Sequence, residues 1–235
     1  MHSEHLTLQT HALDFWLARG AILVTAGLNL LLINKLEFIP GWLASTIQIA
    51  MLIPLSIATA WTQNRVRNAT SERHWKVIGR VRRWIRVMAI LLTVAVSIIN
   101  FEALFEITRA LLSSSASPSG QSLLLDALNI WLTNIVIFTL WFWNLDRGGP
   151  ALRGLSHSDE VDFLFPQMIN AQPDKPAWTP GFIDYFFVSF TNATAFSPTD
   201  TLPLTPRVKL LMAVEATASL LTVGLVAARA VNILK

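Results

Sequence analysis

The chain has 235 residues, 53% hydrophobic and only 14% charged, with a mean hydropathy of +0.49, where a soluble domain carries about 25% charged residues. That balance excludes an ordinary soluble enzyme core, and the lack of cysteine excludes disulfides, thiolate metal sites and cysteine nucleophiles. The net charge of +3 is too localised to read as a nucleic-acid surface.

Residues 1–14 are polar and carry no basic stretch before the first apolar run, so a cleaved signal peptide is not expected. A bilayer span needs about 20 apolar residues rising 1.5 Å each. Residues 15–33 and 42–61 meet that length, with Arg19 near the start of the first and Pro54 inside the second. Residues 65–86 then hold eight of the chain's eighteen Lys and Arg against one acid, Glu72. Such a cluster beside two spans predicts a cytoplasmic loop, and it suits the anionic headgroups of the inner leaflet from Arg65 to Arg86.

The third expected span is 87–112. Near its end Glu102, Glu106 and Arg109 stand at i, i+4 and i+7, on one helix face, with Glu106 placed to pair with Arg109. Residues 113–120 read as a turn, and 123–143 as the fourth span, closed by the aromatic WFW at an interface. Residues 144–180 are polar and Pro-rich, the longest connection in the chain. The final span is 208–234, with Glu215 expected about one turn inside it.

Between those last two regions lies SFTNATAFSPTD, residues 189–200, dense in hydroxyls. The expectation is a short helix from Phe182 to Thr194, its aromatics Phe182, Tyr185, Phe186, Phe187 and Phe190 packed outward, then a polar turn ended by Ser197-Pro198 and braced by Asp200. Irregular backbone at membrane depth is tolerated only when buried in protein or lining water.

No Gly-rich phosphate loop, HExxH or GxSxG is present, so neither catalysis nor a cofactor or metal is expected. The Asn192-Ala-Thr194 triplet matches the glycosylation sequon, as does Asn68-Ala-Thr70. Intramembrane charge is the stronger functional signal, because a charge at mid-bilayer costs about 2.5–3.5 kcal/mol on insertion scales. Glu102, Glu106, Arg109 and Glu215 carry it, and Glu215 is the leading candidate.

Residues 186–207, FFVSFTNATAFSPTDTLPLTPR, resemble the pore segment of the tetrameric potassium-channel superfamily. Thr194 falls on the first filter threonine, Asp200 on the aspartate that closes the filter, and Pro203, Thr205 and Pro206 on the P-x-T-P that follows. The resemblance implies that 123–143 is an outer helix and the run from Leu210 an inner one, and that Thr191, Asn192, Thr194, Ser197, Thr199 and Asp200 line or brace a constriction in a homo-oligomer, a tetramer if channel-like. The filter departs from the pattern, with Ser197-Pro198-Thr199 where those channels have Gly-Tyr-Gly. A filter presents backbone carbonyls in a geometry that glycine permits and proline opposes, so potassium selectivity is not expected.

More of the chain is similar to a family of bacterial inner-membrane proteins built on a domain of unknown function. The shared features are the Arg-rich loop, the polar loop after span four, Asp184-Tyr185-Phe186, Phe190-Thr191, the turn ending in Asp200, and Val231-Asn232. That likeness implies an architecture and not a mechanism.

The expected fold is therefore an all-α membrane bundle of one domain with five or six spans. If 65–86 are cytoplasmic, 144–180 are too. Residues 181–199 then either re-enter from the cytoplasmic side, as in glutamate-receptor channels, or cross. Three functions fit: a channel-like passage for a small cation, a non-transporting scaffold, or a proton-coupled carrier using Glu215 with Glu102 and Glu106.

Overall fold

A computed structural model describes residues 2–32, 41–67, 72–112, 120–150, 161–169, 178–194 and 201–233. The described residues are helical almost throughout. Helices α1 (His2–Leu32), α2 (Gly41–Arg67), α3 (Glu72–Leu112) and α4 (Gly120–Leu145) lead to a 3-10 turn at Asp146–Gly148. There follow a two-residue strand β1 (Phe163–Leu164), α5 (Pro166–Ile169), α6 (Phe182–Ala193), β2 (Leu202–Pro203) and α7 (Pro206–Ile233).

Four of these helices are long and apolar enough to cross a membrane, over Leu13–Leu30, Val77–Arg109, Leu124–Gly148 and Pro206–Ala227. In α2 the apolar stretch Ser45–Trp61 is shorter. The helix itself runs unbroken through Pro54.

The basic region differs from the expected loop. Both α2 and α3 extend into it, so only residues 68–71 separate them. At 41 residues α3 is about 62 Å long, twice the hydrocarbon thickness. Helix propensity accounts for this: Arg and Lys are good helix formers and a long side chain can snorkel from a helical backbone.

Each packed pair among α1–α4 is antiparallel. Ser45 at the start of α2 donates to the carbonyl of Ala26 late in α1 (2.9 Å). Asn129 early in α4 reaches Asn29 late in α1 (3.2 Å). Trp141 late in α4 donates to Ser97 of α3 (3.0 Å). Helix α7 packs against α4 in the same sense, Asn134 bonding Ser219 at 2.9 Å. One end of the bundle therefore gathers the start of α1, the end of α2, the starts of α3 and α7, and the end of α4. We call it the basic end.

The amphipathicity of α7 is reversed relative to a soluble helix. Val208, Met212, Glu215, Ser219 and Thr222 are buried at intervals of four, three, four and three, while Leu210, Val214, Leu220 and Leu221 are exposed. Lipid offers apolar side chains no penalty, so the inward face is free to carry the polar groups that bond between helices.

Candidate functional site

The site is built from α6 upward. Its first turn is held by two carboxylates. Asp184 accepts from the N–H of Gly181 at 2.7 Å, and Asp14 of α1 accepts from the N–H of Phe182 at 3.1 Å. Both occupy the positive end of the helix dipole, where free N–H groups need acceptors. A Cβ on Gly181 would lie 2.9 Å from Oδ1 of Asp14, so a larger residue there would push the Asp14 side chain aside.

One turn further in, the Tyr185 hydroxyl donates to Oδ2 of Asp146. Asp146 Oδ1 also accepts from the N–H of Asp162 at 2.8 Å. Asp162 in turn takes a bidentate pair from Arg207, at 2.7 and 2.6 Å, and a hydrogen bond from Thr205. Both aspartates are fully buried. The turn that presents Asp146 has Arg147, Gly148 and Gly149 at positive φ, and a Cβ on Gly149 would lie 2.6 Å from the carbonyl oxygen of Asn144. Packed around it, Phe163, Phe165 and Tyr185 make edge-on and tilted ring contacts.

This cluster fixes the path of the chain. Asp162 bonds the start of α7, and β1 pairs antiparallel with β2, Phe163 opposite Pro203 and Leu164 opposite Leu202. By Leu202 the chain is back at the basic end, where α6 began. Twelve helical residues reach about 18 Å, against a hydrocarbon core of about 30 Å. The tip of α6 stands beside the middle of α4, where Trp131 Nε1 donates to the carbonyl of Ala193 at 3.4 Å.

Near that tip lies Glu215, with no exposed surface. It stands nine residues into α7, deeper than the one turn expected. Its Oε1 is bonded to the hydroxyl of Ser189, and its Oε2 accepts from Asn192 Nδ2 at 2.7 Å. Asn192 also donates to the carbonyl of Met212 at 2.9 Å. Ser189 faces a second acceptor, the carbonyl of Ile135 on α4, at 2.8 Å. A hydroxyl has a single proton, so Ser189 cannot donate fully to both. The Glu215 carboxylate and the Ile135 carbonyl therefore compete for the Ser189 hydroxyl proton.

Of the residues expected at the constriction, Asn192 is thus brought to Glu215. Thr191 and Thr194 are not: their hydroxyls donate to carbonyls of their own helix, Phe187 at 2.8 Å and Phe190 at 2.9 Å. Ser197, Thr199 and Asp200 lie outside the described residues. The outward packing expected for the aromatics holds for Phe186, Phe187 and Phe190 and fails for Phe182 and Tyr185, which are buried. The reason is that Phe182, Tyr185 and Ser189 share the inner face, at i, i+3 and i+7. Asn192 bonded inside the bundle is not a glycan acceptor.

Glu102 and Glu106 do not touch Glu215, whose side-chain partners are Ser189 and Asn192. Arg109 is exposed, and Oε1 of Glu106 is buried without a hydrogen-bond partner among the described residues. Sequence reasoning also passed over Asp14, Asp146, Asp162 and Arg207, and it placed Tyr185 outward. One signal for the inward face was present in the spacing of Glu215, Ser219 and Thr222 within an apolar run.

Compared with protein-family models, curated proteins and solved structures, the chain has no match.

Proposed function

We propose that the chain is an inner-membrane protein of channel-like architecture that passes a proton or another small cation along the seam between α6 and α7, with Glu215 as the group that holds it. The observation that carries this reading is the buried Glu215 carboxyl, met by Ser189 and Asn192 at the tip of a helix that enters from one end and returns to it. An ionisable group this deep in a membrane protein is by default functional. The order α4, short inward helix, return, α7 follows the order of a channel's outer helix, pore helix, filter and inner helix, which supports the resemblance of residues 186–207. The basic end would face the cytoplasm, since eight basic residues gather there, and α6 would enter from that side.

A filter ring of oxygens from the turn after α6 would need several copies around one axis, a tetramer in the channel-like case. A proton exchanging at Glu215 needs only one chain.

Potential-driven uptake into liposomes holding the purified protein tests this, read with a pH dye and with sodium and potassium indicators. Wild type should admit one of these cations, Glu215→Gln should stop it, and Glu215→Asp should reduce it. Equal flux through wild type and Glu215→Gln would remove Glu215 from the pathway. No cation flux at all through folded wild type would favour a scaffold.

A further inference from the structure

A second feature is independent of Glu215. A cavity of about 30 Å³ opens among α1, α3 and α4 at the basic end, closed by Asn144 and Pro150 and touched by Leu55 of α2. Two cations line it, Arg19 from α1 and Arg86 from α3; most of the remaining lining is apolar, including Phe15, Ile22, Leu92 and Trp143. Nη2 of Arg19 and Nε of Arg86 are buried without an acceptor among the described residues. Two half-buried guanidiniums converge on one cavity with no carboxylate among its described lining residues, and desolvating a charge without a partner costs free energy. An anion from outside the chain would remove that cost.

We propose that this cavity binds the phosphate of an anionic phospholipid. Guanidinium forks match phosphate oxygens geometrically. The room admits a phosphoryl oxygen or two and not a whole headgroup, so the glycerol and acyl chains would remain outside. Arg19 also lies over the ring of Trp16, 5.2 Å from its centroid, and Trp16 is 68% exposed. That places Arg19 at the boundary between the cavity and the lipid-facing surface, which favours a lipid over a soluble ion.

Native mass spectrometry of the purified protein, titrated with phosphatidylglycerol or phosphatidylcholine, tests the proposal. Wild type should retain phosphatidylglycerol in preference to phosphatidylcholine. Arg19→Gln and Arg86→Gln should each weaken retention about tenfold, the scale of one lost charge-assisted hydrogen bond, and the pair should abolish the preference. Arg83→Gln, an exposed residue outside the cavity lining, should leave it unchanged. Should the double variant not fold, the two single variants decide by the same reading. Equal retention by wild type and the cavity variants would overturn the site, as would an equal loss in Arg83→Gln, which would reduce the effect to surface charge. Inorganic phosphate binding that the cavity variants abolish, with no lipid preference in wild type, would overturn lipid as the source.

Discussion

Tyr185 of α6 donates its hydroxyl to Asp146, one residue past the end of α4, and neither side chain has exposed surface. This bond joins α6 to the turn whose Asp146 also accepts from the N–H of Asp162, and through Asp162 to the start of α7. Tyr185→Phe keeps the ring packing against Phe163 and Phe165 and removes one donor to a buried carboxylate. It should cost about 1–3 kcal/mol, read as an earlier midpoint in detergent-based unfolding. No shift would mean that water replaces the hydroxyl and that the bond does not hold the two elements together.

A second expectation concerns the N-terminus of α6. Gly181→Ala places a Cβ 2.9 Å from Oδ1 of Asp14, closer than real Cβ contacts, so Asp14 must withdraw from the Phe182 N–H. The loss should match that of a helix cap, about 0.5–2 kcal/mol. Asp14→Ala should cost about the same, and the double variant little more than either. Full additivity would show that the glycine and the aspartate act separately.

The Glu215 site makes a sharper demand. Asn192→Asp puts a second carboxyl where an amide now donates to Glu215 at 2.7 Å. Two carboxylates cannot share this buried space ionised, and the change should destabilise the protein by about 3–5 kcal/mol. Adding Glu215→Gln restores a donor–acceptor pair with the partners exchanged and should recover part of the loss. It will not recover all, since the bond to the carbonyl of Met212 is not remade. A double variant no more stable than Asn192→Asp alone would place the damage elsewhere than at Glu215.

The path of residues 182–203 can be read from outside the cell, since the chain has no native cysteine. Cysteines at Asn68 and Leu202 should both resist an impermeant thiol reagent in intact cells, and one at Ser115 should be labelled. Leu202 is the informative position, exposed and paired across β1 and β2 at the basic end. Labelling at Leu202 together with protection at Asn68 would mean that the segment crosses the membrane.

The apolar runs of four membrane-length helices and the short helix from Phe182 were legible in the amino-acid order. Each depends on residues that are neighbours in sequence: a run of about 20 apolar side chains satisfies its own backbone as a helix in lipid, whatever surrounds it. Glu215 could also be singled out, because a carboxylate in such a run is conspicuous by itself. What it touches could not. Ser189 and Asn192 reach it across 26 and 23 residues, Tyr185 meets Asp146 across 39, and Asp14 caps α6 across 168. The same hydroxyl composition that made 189–200 look like one polar surface divides in the fold, Ser189 and Asn192 turning inward while Thr191 and Thr194 bond their own helix. Helix phase assigns each residue to a face, but only packing against α4 and α7 decides which face is inside. The return of the chain to the basic end likewise rests on two-residue strand pairing and one Arg–Asp fork, contacts too short and too distant in sequence to leave a periodic trace.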